Sequence, residues 1–164
     1  MTSPDVLIVG AGQAAAVAAR ALREGGFRGG ITMVGRERPK PYERPPLSKA
    51  VLVAAEEPRL DVLPQEVWAL GDIDLLNGSD AVDLDVAKRQ IRLASGQVLA
   101  YDMCLLATGG EPNALASAPA GHPHVHYMRT LEDARRLRVA LHGKPQVAIP
   151  VSYTHLRAHE TRGN

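Results

Sequence analysis

Gly10, Gly12 and Ala15 have the types and spacing to hold a diphosphate. In G-x-G-x-x-G/A the first position permits a tight turn, the second lets a pyrophosphate come against backbone, and the third lets a helix lie close on a strand. The first amides of that helix lack intrahelical acceptors, and the helix dipole adds partial positive charge, so both favour phosphate. Taken alone the pattern points to a dinucleotide without saying which one, and a tight strand-to-helix turn with no ligand is the alternative. A carboxylate at the tip of the next strand of such a unit grips a ribose hydroxyl. Here Arg36 occupies the usual position, and Glu37 serves if the chain turns one residue later. Metal chemistry is not expected. His122, His124 and His126 alternate, but a proline separates the first two and no acid or thiol is near in sequence. His155, His159 and Glu160 do not follow the H-E-x-x-H order. The single cysteine, Cys104, excludes a disulfide framework, a C-x-x-C redox pair and a Cys-rich zinc site, and reads as an ordinary buried strand thiol.

An α/β arrangement must position these groups. Asp5 to Gly10 reads as a buried parallel strand, because four apolar residues run without polar alternation into glycine. A helix follows from about Gln13 to Glu24, with Ala14, Val17, Ala18, Ala21 and Leu22 forming the stripe expected to face the sheet. Glycines at 25, 26, 29 and 30 end it, and Ile31 to Gly35 reads as the second parallel strand. In PYERPPLSK, residues 41–49, Pro45 and Pro46 are expected to fix an extended approach to a short helix from Ser48. A linker from Glu56 to Pro64, a helix from Gln65 to Leu70 with the lone tryptophan, and a third parallel strand from Ile73 to Leu76 come next.

From Ala81 the pattern changes to AVDLD, QIRLA and QVLAY, a small antiparallel meander. Met103 to Ala107 returns as a buried strand whose end, Thr108-Gly109-Gly110, belongs beside the Gly10 turn. Residues 111–127 form a Pro-, Ala- and His-rich connection. Thr130 to Asp133 resembles a capping box that opens a helix to about Leu141, with Ala134, Leu137 and Leu141 on one face. Gln146 to Ile149 is expected to begin another buried strand.

The 164 residues suffice for one domain with a core and not for a two-domain enzyme. A net charge of +1 with mixed signs gives no basic face for nucleic acid. The opening MTSPD does not lead from a basic into an apolar segment, and glycines and Arg20 interrupt the first apolar run. Neither a signal peptide nor a membrane span is expected, and the expectation is a soluble, cytoplasmic protein.

VGAGQAA, ITMVG, PYERPPLSK, LLATGGEP and MRTLEDA, in this order and spacing, resemble the FAD-dependent ferredoxin and rubredoxin reductases that take electrons from NAD(P)H. This branch of the pyridine nucleotide-disulfide oxidoreductase superfamily includes putidaredoxin reductase, the reductases of aromatic-ring dioxygenases and apoptosis-inducing factor. The resemblance runs from about Asp5 to Ile149 and is most specific in PPLSK. It implies a Rossmann-like FAD-binding domain with a parallel sheet, helices and an antiparallel meander, an NAD(P)H co-substrate, and an iron–sulfur electron carrier as partner. It further implies that Gly10, Gly12, Ala14 and Ala15 line the pyrophosphate, with Glu37 or Arg36 near the adenosine ribose. Arg44, Pro45 and Lys49 would lie towards the flavin ring, Ala81 at the adenine end, Thr108 and Gly109 near the pyrophosphate, and Arg129 at the flavin site. For Lys49, a cation beside the reduced flavin would stabilise its developing negative charge and tune its potential. The alternative is a solvated helix lysine.

After Ile149 these reductases open a second dinucleotide unit with a V-G-G-G-like run, and this sequence does not. Val151 to Thr161, VSYTHLRAHET, is what one frame of a widely used sequencing transposon adapter encodes. The expected organisation is therefore a first part of an FAD domain (1–110), a connection, helix and first strand of an NAD(P)-binding domain (111–150), and a non-native adapter-derived tail (151–164). On this reading the chain is a truncated FAD half-site of a larger reductase and is itself inactive. A disulfide reductase would need two cysteines at the flavin. A simple NAD-dependent dehydrogenase gives the PPLSK and ATGG segments no role, and a non-enzymatic module like apoptosis-inducing factor should carry targeting sequence or a basic surface.

Overall fold

The structure, a computed structural model, describes residues 4–69, 73–143 and 145–149. Strands β1 (Val6–Val9), β2 (Ile31–Gly35), β3 (Asp74–Asn77) and β7 (Met103–Leu106) form a parallel sheet in the order β3-β2-β1-β7. Strands β4 (Ala81–Asp85), β5 (Gln90–Leu93) and β6 (Val98–Ala100) form the antiparallel meander. Helix α1 (Gln13–Glu24) makes the β1-to-β2 crossover, α2 (Ala50–Val53) and α3 (Gln65–Ala69) lie between β2 and β3, and α4 (Leu131–Ala140) follows β7.

The unbroken apolar run of β1 has a simple cause, since both of its faces are covered. Val6 and Ile8 pack with Ala15, Ala16, Ala19, Ile31 and Met33 on the α1 side. Leu7 and Val9 pack with Val34, Ile91 and Leu93 on the meander side. Ile8 is 0% exposed, and its truncation to alanine would cost about 2–5 kcal/mol. A third cluster joins Tyr42, Leu47, Val51 and Leu60 to Leu131 and Ala134 and so docks the proline-rich segment on α4.

Four expectations need correction. The buried face of α1 is Ala15, Ala16 and Ala19, while Ala14, Val17 and Ala21 are exposed, because close approach to the sheet is set by the glycine turn and selects the smallest side chains. Strand β7 is not buried: Met103, Leu105 and Leu106 are exposed and Cys104 is half-buried, since β7 is the last strand of the sheet among the described residues. Pro45 and Pro46 do not form an extended approach but open a 3-10 turn, Pro45–Ser48, whose first positions need no amide hydrogen. Residues 145–149 form no strand, and Ile149 is 77% exposed, because no neighbouring strand among the described residues offers them hydrogen bonds. Leu70 and the expected adapter-derived tail, 151–164, lie outside the described residues. Among the described residues no helix is long and apolar enough to cross a membrane.

Candidate functional site

The chain runs from β1 outward to β3 and then returns to place β7 on the other side of β1. This leaves a switch point at the carboxyl ends of β1 and β7, the position where open α/β sheets gather ligands. A crevice of about 530 Å³ opens there, and its floor is the turn from Gly10 to Ala14.

The two glycines of the turn answer to different demands. Gly10 sits at φ 122°, and a Cβ there would stand 2.1 Å from the Ala107 carbonyl oxygen, so the close approach of β7 requires glycine. Gly12 has ordinary extended angles, φ −91° and ψ −171°, and a Cβ would meet no protein atom within 4 Å. The protein itself gives no reason for glycine at 12, and the space a methyl would take belongs to the crevice. Helix α1 starts there with no side-chain cap and no acidic residue in its first turn, which leaves its amides to a ligand anion. These residues fit a diphosphate. Ala15 is fully buried against the sheet and lets the helix approach without lining the crevice.

The β2 side of the crevice is a hydrogen-bonded network. Glu37 accepts from Arg44 Nη2 at 2.8 Å and from the Tyr42 hydroxyl at 2.5 Å. Arg44 also donates to the carbonyl oxygen of Arg129 and lies over the Tyr42 ring, 5.2 Å from its centroid. Burial first, and then the bond to Glu37, push the Tyr42 phenol up to about 12. Arg36 bonds Glu111 across the mouth and lies 3.9 Å from Asp80, and the Glu111 contact holds its guanidinium above its ordinary pKa. The amides of Gly78 and Ser79 donate to the carbonyls of Glu37 and Gly35, and this brings Ala81 to the rim.

On the β7 side, Thr108 and Gly109 line the crevice. Gly109 lies at φ 74°, where a Cβ would stand 2.7 Å from Arg129 Nη2. Arg129 is delivered by the capping box of α4, in which Thr130 Oγ1 accepts from the Asp133 amide while Asp133 Oδ2 accepts from the amides of Arg129 and Thr130.

The structure thus brings Gly10, Gly12 and Ala14 together with Arg36, Glu37, Arg44 and Ala81 on one side, and Thr108, Gly109 and Arg129 on the other. Pro45 and Lys49 do not line this crevice, and Lys49 is exposed where the 3-10 turn meets α2. Asp80, Glu111 and Tyr42 were not anticipated. Asp80 and Glu111 lie within two residues of ones that were, and Tyr42 lies in the PYERPPLSK segment two residues before Arg44, but its bonds to Glu37 and Leu131 could not be read from that segment. His122 and His124 stand with ring centroids 5.8 Å apart, away from the crevice. Among the described residues no three His, Cys, Asp or Glu are grouped to hold a metal ion.

The profile of the Pyridine nucleotide-disulphide oxidoreductase family matches residues 4–149. The chain belongs to this family. Within it, the chain is 42% identical over 144 residues to the ferredoxin–NAD(+) reductase component of the p-cumate 2,3-dioxygenase system of Pseudomonas putida, covering 88% of this chain and 36% of the relative. It is 36% identical over 134 residues to rubredoxin-NAD(+) reductase of Pseudomonas putida, covering 81% and 35% respectively. The fold matches a chain in the crystal structure of the covalent putidaredoxin reductase–putidaredoxin complex with a TM-score of 0.77 at 36% identity, over 86% of this chain and 35% of that one. The chain therefore spans about a third of the length of these family members.

Proposed function

We propose that the chain is the amino-terminal part of an FAD-dependent NAD(P)H:ferredoxin or NAD(P)H:rubredoxin oxidoreductase and holds half of its FAD site. The observation that carries this reading is the shared crevice, in which the Gly12 turn, the Glu37–Arg44 network and Thr108 face one space at the switch point. When bound, FAD supplies the exchange between a hydride from nicotinamide and single electrons for an iron–sulfur carrier. The residues of the chain bind and orient it. The Gly12 turn and the α1 amides take the diphosphate, and Glu37 or Arg36 takes the adenosine ribose, with Ala81 at the adenine end. Thr108 and Gly109 close on the diphosphate from the β7 side. Arg129 holds its guanidinium beside Gly109 towards the flavin end, Arg44 links that end to the ribose side through its bonds to the Arg129 carbonyl and to Glu37, and Pro45 and Lys49 extend the flavin end in the whole reductase. The names of the relatives, which pair reductases with ferredoxin, rubredoxin and putidaredoxin, support the electron carrier as partner.

The test is direct. The 164-residue chain is incubated with FAD, freed of excess and examined for flavin absorbance, with NADH in a parallel titration. Retained flavin supports the reading, whereas retention of NADH alone overturns it in favour of a nicotinamide dehydrogenase. The chain by itself should reduce neither a dye nor ferredoxin with NADH, and a measurable rate would refute the claim that it is an inactive half-site.

A further inference from the structure

Tyr42 has no part in the reading above, yet it stands behind the crevice wall with every polar valence used. Its ring is buried, 6% exposed, among Leu47, Val51, Leu60, Leu131 and Ala134. A phenol has one proton and two lone pairs. The proton goes to Glu37 Oε2 at 2.5 Å, and the oxygen accepts from the Leu131 amide at 2.8 Å and from Arg44 Nη1 at 3.4 Å. The Leu131 amide is the first of α4 and cannot bond within its helix. The capping box serves its neighbours Arg129, Thr130 and Asp133, and the Tyr42 hydroxyl serves Leu131.

We propose that Tyr42 is a positioning residue of the cofactor site: its hydroxyl sets the Glu37 carboxylate, and with it the Arg44 guanidinium, on the crevice wall and fastens that wall to the first turn of α4. The proposal rests on the crevice being the FAD site. Phenylalanine would fill the same apolar space but leave the Leu131 amide without its acceptor and free one Glu37 oxygen to turn. Arg44, which shares Glu37 with Tyr42, would lose one of its two anchors and keep only the Arg129 carbonyl. Cofactor affinity then falls although Tyr42 does not itself line the crevice.

The experiment compares Tyr42→Phe with the unaltered 164-residue chain by FAD fluorescence titration, amide exchange at Leu131 and the alkaline absorbance titration of the phenols. Val51→Ala is the control, because it loosens the same cluster without touching the hydroxyl network. Tyr42→Phe should weaken FAD about tenfold, the scale of one hydrogen bond to a charged group, and abolish slow exchange at Leu131, while folded Val51→Ala binds FAD as before. In Glu37→Gln the highest-titrating phenol should move down towards its ordinary value. Unchanged FAD affinity in Tyr42→Phe, or an equal loss in Val51→Ala, overturns the proposal. If the unaltered chain takes no FAD, the cofactor reading fails and Tyr42 loses its role in a cofactor site; the Leu131 amide then decides only the fastening of the wall to α4, which unchanged exchange in Tyr42→Phe refutes and faster exchange upholds. If Tyr42→Phe does not fold, the phenol titration of Glu37→Gln decides in the same way.

Discussion

Two alanine substitutions two positions apart in the same turn should separate binding from folding. In Gly12→Ala the new methyl meets no protein atom within 4 Å, and the backbone angles suit alanine. Alanine is a poorer N-cap than glycine by about 0.5–1 kcal/mol, and its stiffer unfolded chain returns about 0.4–1, so stability should stay within about 1 kcal/mol. The same methyl fills the approach of a diphosphate oxygen to the α1 amides. Loss of one charge-assisted hydrogen bond, about 1.5–3 kcal/mol, weakens FAD roughly 10- to 150-fold. In Gly10→Ala the methyl is driven to 2.1 Å from the Ala107 carbonyl at φ 122°. Strain of about 1–3 kcal/mol and overpacking of a similar size then remove a large part of a typical stability of about 5–15 kcal/mol. Urea unfolding without cofactor gives the first quantity and flavin fluorescence titration the second. Should Gly12→Ala unfold as readily as Gly10→Ala, or bind FAD unchanged, the assignment of Gly12 to the ligand and Gly10 to the strand is refuted.

Three further outcomes are expected. Lys49→Ala should weaken FAD binding or shift its midpoint potential in the complete reductase, and if both stay put the lysine is merely solvated. Asp133 is pushed up by burial, but its bonds to Thr130 and Arg129 and the charge of Arg136 outweigh this and hold it below 3.8. Its contribution is therefore present above that value and lost as pH falls through the lowered one, so Asp133→Ala should cost about 1 kcal/mol near neutrality and make urea unfolding less acid-sensitive. The Arg36–Glu111 pair is largely exposed, with side chains 63% and 65% accessible, so Glu111→Gln should change stability by less than about 1 kcal/mol, and by less still at high salt. A larger loss, insensitive to salt, would mean the pair is shielded from solvent.

The β1–α1–β2 unit was readable because its signals are local: a strand-length apolar run, glycines at fixed offsets and a helical stretch of small residues. The meander was readable for the same reason, and so was the capping box, in which Thr130 and Asp133 stand three residues apart. The buried stripe of α1 was not, because a run of alanines carries almost no hydrophobic contrast and the facing side is chosen by contact with Ile8 and Met33. The exposure of β7 depends on what lies beyond its edge, which MCLLA does not encode. Most of the glycine half of the site followed from spacing. Tyr42 did not, since its partner Leu131 is 89 positions away and only the folded chain brings them together.

The glycine at position 10 also has a bearing on strand alignment. With apolar side chains on both faces of β1, sliding it by one residue against β7 would swap Ile8 for Leu7 or Val9 at little hydrophobic cost, so the usual contrast between wet and dry faces gives weak guidance. The Ala107 carbonyl supplies what that contrast lacks, because any side chain brought opposite it collides. The residue that opens the ligand cavity thus doubles as a ratchet tooth, admitting a single alignment of β1 with its outer neighbour β7.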